Sequence, residues 1–377
     1  MEMKAAGAGA NAPVSKGFGR FFLPGPTEVL PELLEAQLKP MIGHRGADIK
    51  ALMEKLQIGL EDVFRTERTV FLSTSSATGF MEAAVRNGVR RKALALVNGA
   101  FSERFGELVT SCGLEVEVME VPWGQVHDPQ AIRDRLKKGG IDAITVVHSE
   151  TSTGALNPIQ DIAQVANEAD DVVILVDSVS GVAGAELWSD RWQLDFVLTG
   201  SQKALALPPG LAFGVASERM MDRSKAAKGK GQYFDLMEFA KTQADNMTPA
   251  TPALSTMYAL EVQLQRIAKE TMEGRWQRHA AMRDATVEWV DQMRGERGVD
   301  VSVRAREGFR SPTVTTLNMP AGKTSPPVVA AMKDRGIVLG GGYGKLKEPT
   351  FRIGHMGDHT VAGLETVLEV LEEVLTA

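Results

Sequence analysis

Lys203 lies in Leu198-Thr199-Gly200-Ser201-Gln202-Lys203-Ala204, just past the apolar run Asp195-Phe196-Val197-Leu198, and is followed by Pro208-Pro209-Gly210. A lysine at the mouth of a buried strand, ringed by small residues, is poorly explained as a solvated charge. Upstream, Val172-Val173-Ile174-Leu175-Val176 is a second strand-like run, and it leads into Asp177-Ser178-Val179-Ser180-Gly181. In an α/β sheet, residues just beyond the carboxyl ends of the strands meet in one crevice. A lysine and an aspartate meeting there suit pyridoxal phosphate. The amine can form a Schiff base with the aldehyde, and the carboxylate can keep the pyridine nitrogen protonated. Taken alone, the two segments are equally compatible with a structural ion pair, so the rest of the chain must decide.

A phosphate needs its own cradle. Ser73-Thr74-Ser75-Ser76-Ala77-Thr78-Gly79 carries five hydroxyl residues between a strand and a helix opening near Thr78. Backbone N–H groups and the positive end of the helix dipole favour an anion at such a turn. Plain N-capping by serine or threonine is the competing explanation. Other candidates are weaker. Gly7-Ala8-Gly9 has no strand before it, and Gly340-Gly341-Gly342-Tyr343-Gly344 reads as a turn or a close approach to a ligand. His355 and His359 have helical spacing, but Asp358 between them is better read as the cap of the last helix than as part of a metal site. No Gly-x-Ser-x-Gly elbow is present.

The elements that would position these groups alternate. Ile49, Leu52, Met53, Leu56 and Leu60 recur at helical spacing, and strand-like runs follow at 69–72, 93–97, 115–121, 143–147 and 172–176, with helices between them. Such alternation predicts an α/β fold with a mostly parallel central sheet covered by helices on both faces. Beyond about residue 251 the pattern changes. Helices at 254–269 and 276–293 precede strand-like segments at 301–303, 313–317 and 351–353, and a last helix runs over 360–375. We therefore expect a leader over 1–19, a large domain over 20–265 and a smaller C-terminal α+β domain over 266–377. A chain of 377 residues exceeds the size at which one core keeps growing.

Composition narrows the function classes. Hydrophobic residues make up 44% and charged residues 24% of the chain, as in an ordinary globular enzyme. A net charge of −6 and a pI near 5.7 argue against nucleic acid as the main partner. The basic cluster Lys225, Lys228 and Lys230 reads as a solvated loop. The single cysteine, Cys112, excludes an intramolecular disulfide. No apolar run approaches a membrane span, and the Ala/Gly-rich start lacks a compact apolar h-region, so a cytoplasmic protein is expected.

These motifs together resemble the class V aminotransferases of fold type I, in particular the alanine–glyoxylate and serine–pyruvate aminotransferase group. The resemblance covers the chain after the leader. Pro24-Gly25-Pro26 and Met41-Ile42-Gly43-His44-Arg45 match its opening elements, Ser76-Ala77-Thr78 its phosphate turn, and Val147–Gly154 the stretch that places Thr151 on the cofactor's phenolic oxygen. The Asp177 and Lys203 motifs match its pyridine-nitrogen and Schiff-base motifs, and Gly341–Gly344 with Phe351–Gly357 match its end signature.

The resemblance implies pyridoxal 5′-phosphate held by Ser76, Ala77, Thr78, Phe101, Thr151, Asp177, Val179, Gln202 and Lys203, with Thr251 reaching the partner's cofactor in a homodimer. It implies that Arg352 grips the substrate carboxylate beside Gly25. A guanidinium fork suits that task. Phe101 stands where many relatives carry tryptophan, and Thr248 where some carry a phosphate-contacting tyrosine. The expected reaction is a ping-pong transfer of an amino group from alanine or serine to glyoxylate or pyruvate. The competing possibilities are (S)-ureidoglycine–glyoxylate transamination, another fold-type-I reaction such as desulfuration, and a non-catalytic subunit that kept the fold.

Overall fold

The computed structural model describes residues 18–377, so the expected leader lies, but for its last two residues, outside the described residues. The strands are β1 Phe21–Phe22, β2 Val70–Ser73, β3 Lys92–Val97, β4 Glu115–Glu120, β5 Ala143–Val147, β6 Ser149–Glu150, β7 Ala155–Leu156, β8 Val173–Asp177, β9 Phe196–Gly200, β10 Ala212–Ala216, β11 Ser302–Val303, β12 Thr315–Asn318, β13 Val338–Gly341 and β14 Thr350–Ile353. Seven of them form the central sheet in the order β2-β10-β9-β8-β5-β3-β4. Only β10 runs against its neighbours; β9, β8, β5, β3 and β4 are mutually parallel.

Alternation along the buried strands sends side chains to both faces of the sheet, where each meets a helical layer. Leu94, Leu96, Ile144, Val146, Ile174 and Val176 pack with Ile49, Leu56 and Leu60 of helix Ala47–Phe64 on one face. Ala93, Ala143, Val173 and Leu175 pack with Phe80 and Phe105 on the other. At roughly 1.5–3 kcal/mol per buried large apolar side chain, these two layers supply most of the drive to fold.

The reversed strand β10 is absent from the sequence expectation. Its composition, Ala-Phe-Gly-Val-Ala, lacks the β-branched run that marks the others. Small residues are needed there because Phe196 of β9 presses on it: a Cβ on Gly214 would lie 2.8 Å from the Phe196 ring. The turn through Pro208-Pro209-Gly210 reverses the chain into it.

A second sheet, β1-β13-β14-β12-β11, carries a separate core of Phe22, Trp289, Leu317, Phe351, Ile353, Leu364 and Leu368. The strand β1 pairs in parallel with β13, so the first strand of the described chain joins the sheet built by the last third. Helix Leu254–Glu270 leads into Met272–Gly295, which packs against the terminal helix Val361–Thr376. That terminal helix is capped by Thr360, whose side chain accepts the Gly363 N–H. The expected cap, Asp358, is instead ion-paired with the buried Arg275 at 3.0 Å and accepts from Gln263.

Candidate active site

Asp177 is the last residue of β8 and Lys203 follows β9 by three positions; the two strands pair in parallel with Asp177 opposite Leu198. Adjacent parallel strands end on the same edge, which is why residues distant in sequence reach one crevice. The Lys203 loop is tied down at several points. Ser201 donates its N–H to the Leu211 carbonyl and its hydroxyl to the Pro208 carbonyl. From below, Arg275 donates to the Ala204 carbonyl at 2.7 Å.

A cavity of about 330 Å³ opens at this edge. Its walls include Gly25, Ser76, Ala77, Thr78, Phe101, Thr151, Asp177, Val179, Gln202 and Lys203. Ten of the residues singled out from the sequence thus share one space. Arg352 and Thr251 are not among its lining residues.

Burial dominates the electrostatics of the charged groups at the cavity. Asp177 is raised to about 6, chiefly by burial and in smaller part by Glu150, against the lowering pull of the Val179 N–H, Lys203 and Arg104. Its Oδ1 accepts that N–H at 2.8 Å. Burial lowers Lys203 to about 8; the Arg352 charge adds to this and Asp177 opposes it. The lysine amine donates to the Pro24 carbonyl at 2.5 Å. Gly25 must be glycine, because φ is +103° and a Cβ there would sit 2.4 Å from Lys203 Nζ. His148, behind Asp177, shares a 3.0 Å hydrogen bond with Ser178 Oγ, and burial lowers it to about 4, so it is neutral.

Helix Ala77–Gly88 begins one residue before the expected Thr78, with Ser76 as its N-cap and no side-chain capping bond. Its first N–H groups are therefore unspent by a cap. The buried Ser75 hydroxyl has no partner either. Ser76, Ala77 and Thr78 of this helix start line the cavity, and its uncapped N–H groups fit the phosphate end of the cofactor expected from the sequence. Thr151 Oγ1 pairs with Ser180 Oγ at 2.6 Å on the opposite wall.

Arg352, on β14, is buried and held by two backbone carbonyls: Nε donates to Gly341 at 2.8 Å and Nη1 to Thr151 at 3.4 Å. Burial lowers it to about 10, so it keeps its charge at neutral pH. Its guanidinium lies 5.5 Å from the Tyr343 ring centroid, and Tyr343 in turn stacks on Phe101 at 5.2 Å and 19°. Phe101 thus meets an aromatic partner that the sequence did not suggest. The helix bearing Phe101, Ala100–Ser111, is anchored by the buried Glu150 carboxylate, which accepts from Ser102 N–H at 2.9 Å and from Phe101 N–H at 3.3 Å.

Thr251 is exposed and lines a different cavity with Thr74, Tyr233 and Thr248. Met81, Arg104, Ser149, Ser180 and Pro209 also line the central cavity and were not singled out as site residues. Ser149 and Ser180 stand inside motifs already noted, whereas Arg104 has no such signal: it reads as one more charge on a helix. Cys112 is half-buried at the far end of the same helix and does not line the cavity. His355 and His359 bond Thr315, Pro312 and the Phe21 carbonyl, and among the described residues no three or more His, Cys, Asp or Glu side chains cluster so as to hold a metal ion.

Comparisons place this architecture. A family model described as Aminotransferase class-V matches residues 31–345. An uncharacterised aminotransferase of Methanocaldococcus jannaschii is 39% identical, covering 93% of this chain and 90% of that protein. The serine–glyoxylate aminotransferase of Methylorubrum extorquens is 31% identical over 91% and 87%. Among solved structures, an alanine–glyoxylate aminotransferase from Nostoc superposes with a TM-score of 0.89 at 27% identity, covering 97% of both chains. An aspartate aminotransferase of Thermus thermophilus gives 0.86 at 31%, covering 94% of this chain and 99% of that one. The fold is that of the fold-type-I aminotransferases, and the chain belongs to the class-V aminotransferase family.

Proposed function

We propose that this enzyme is a pyridoxal 5′-phosphate-dependent transaminase that takes the amino group of a small amino acid, alanine or serine, to glyoxylate or pyruvate. The observation that carries this reading is the convergence of Lys203 and Asp177 on one cavity whose wall includes the uncapped start of helix Ala77–Gly88, with Arg352 near enough for its charge to act on Lys203. Relatives and structural neighbours acting on serine, alanine and glyoxylate support the substrate class.

When bound, the cofactor supplies an electron sink for the bond-breaking at the substrate Cα. Asp177, in this reading, faces the pyridine nitrogen and holds its proton. Lys203 carries the cofactor and, once displaced by the substrate amine, takes the Cα proton at Nζ; an amine titrating near 8 suits a base better than one at 10.5. Arg352 orients the substrate by its carboxylate, which donor and acceptor share, and so serves both halves of a ping-pong cycle. Thr151 and Ser180 would bond the phenolic oxygen. Ser76, Ala77 and Thr78 would take the phosphate.

We assign a homodimer with shared sites. Thr251 is exposed and does not line its own chain's cavity, and Leu38, Met41 and Ile58 are exposed apolar side chains. The division at residue 265 and a cytoplasmic location belong to the same reading. Among the described residues no helix is long and apolar enough to cross a membrane.

The test is a panel of half-reactions. The protein is mixed separately with alanine, serine, glycine, aspartate and ureidoglycine while the visible band of the lysine-bound cofactor is followed. Rapid loss with alanine or serine, regenerated by glyoxylate or pyruvate, is expected. Loss only with aspartate or ureidoglycine would reassign the donor.

A further inference from the structure

Among the described residues, Arg104 is the only cation besides Lys203 that lines the central cavity. On the cofactor reading above, the Lys203 amine is committed to covalent attachment, so the Arg104 charge remains unassigned. It lies one turn beyond Phe101 on helix Ala100–Ser111. Residues three apart project from the same helix face, so the aromatic ring and the guanidinium address the same cavity. The Glu150 carboxylate fixes that helix start through the Phe101 and Ser102 N–H groups.

Arg104 turns toward the phosphate turn. Its Nη2 donates to Thr78 Oγ1 at 3.3 Å, on the second residue of helix Ala77–Gly88. No carboxylate lies within ion-pairing distance of it among the described residues. By contrast, Arg86 on this helix pairs with Glu82, and Lys345 bridges to Glu103, on the helix of Arg104, and to Glu120. At the same turn the buried Ser75 hydroxyl is unpartnered and the helix N–H groups are uncapped. Arg104, exposed at the cavity rim, and the unspent N–H groups of the helix start place donors with no carboxylate at this end of the cavity wall, which is what a phosphate dianion requires. Thr248, with its hydroxyl bonded to the Ala250 carbonyl, adds no charge there.

We infer that Arg104 is the charge partner of the cofactor phosphate, joined by Thr78 and the N-terminus of helix Ala77–Gly88. This rests on the pyridoxal phosphate reading. A distal substrate carboxylate is the rival ligand, but the hydrogen bond that Arg104 makes is with the phosphate turn, and the substrate-side cation is Arg352, beside Tyr343.

The experiment titrates the cofactor-free full-length protein with pyridoxal phosphate and, separately, with pyridoxal, which offers the same aldehyde without the phosphate. Absorbance gives both affinities, and the phosphorus NMR shift of the bound phosphate reports its charge environment. In R104Q, pyridoxal phosphate should bind about tenfold to a hundredfold more weakly and its phosphorus shift should move, while pyridoxal affinity stays at the parental value. R104K, which keeps the charge without the fork, should fall between. Equal pyridoxal phosphate affinity in parent and R104Q overturns the inference, as does an equal loss for both ligands. So does an unchanged affinity with a rise in KM confined to aspartate, which would make Arg104 a substrate residue. A parent protein that binds neither ligand overturns the cofactor reading itself, a result the variants cannot mimic.

Discussion

Asp177 and Lys203 stand at the ends of neighbouring parallel strands, and each biases the other's protonation inside a site that burial has already shifted. Burial is the larger effect for both; it raises the carboxyl to about 6 and lowers the amine to about 8. Their mutual attraction opposes burial in each, favouring the charged forms. The pair is thus poised near neutrality before any ligand arrives.

The first prediction concerns Asp177 and stability. A carboxyl raised from 3.8 to about 6 binds its proton more tightly in the folded than in the unfolded chain. The folded cofactor-free protein therefore loses stability from this group as pH rises from about 4 to 6, by up to roughly 3 kcal/mol, and regains it as pH falls. Asp177→Asn should raise the Tm of the cofactor-free protein at pH 8, with the gain shrinking toward pH 4. The same variant should lose transaminase turnover by orders of magnitude while still binding the cofactor, because an amide cannot keep the pyridine nitrogen protonated. Melting curves across pH and steady-state rates check both halves; near-normal turnover would give Asp177 another role.

Gly25→Ala should cripple cofactor capture without removing a polar group. The backbone there sits at φ +103°, and the added methyl would meet Lys203 Nζ at 2.4 Å. Strain at such a position is of order 1–3 kcal/mol. We expect a lower Tm and a markedly weaker titration with pyridoxal phosphate. An unaltered affinity would mean that the Lys203 amine does not need this close approach.

How far all this could be read from sequence depends on the kind of residue. Buried parallel strands such as Ala143–Val147 and Val173–Asp177 are continuous apolar runs and declare themselves, and with them the crevice holding Asp177 and Lys203. The strand Ala212–Ala216 does not, because its small residues answer to the Phe196 ring packed on it. Asp358 looks like a helix cap on local grounds, and a buried arginine across the fold claims it instead. The pairing of Phe21–Phe22 with Val338–Leu339 and the Phe101–Tyr343 stack join segments far apart in sequence. No local pattern encodes such meetings.

Arg352→Lys should raise KM for both the amino donor and the keto acceptor. A lysine would forfeit the fork that now uses Nε and Nη1 on the Gly341 and Thr151 carbonyls, and with it the remaining N–H groups that the proposed carboxylate clamp needs. The loss of one charge-assisted bidentate contact is roughly 1.5–3 kcal/mol, or about tenfold to a hundredfold. The cofactor spectrum should be unchanged. If both KM values stay at the parental level, the substrate class must be reargued.

Thr251→Ala should loosen cofactor retention and leave substrate preference alone. Mixed dimers of Thr251→Ala chains with Lys203→Ala chains give the sharper reading. In a shared-site dimer, the one site containing Lys203 would draw on the partner's unaltered Thr251, so its cofactor should dissociate at the parental rate. Dissociation as fast as from the Thr251→Ala homodimer would place Thr251 outside the partner's site.

The central claim is that Lys203 binds the cofactor covalently and moves the proton at Cα. The most direct measurement is the visible spectrum and single-turnover rate of Lys203→Ala, loaded with pyridoxal phosphate and mixed with alanine. Removing a general base alone typically lowers the rate by 10²–10⁴-fold. We predict that the variant lacks the lysine-bound cofactor band and falls by at least about that factor. A variant that keeps both the band and the parental rate would contradict the assignment of Lys203.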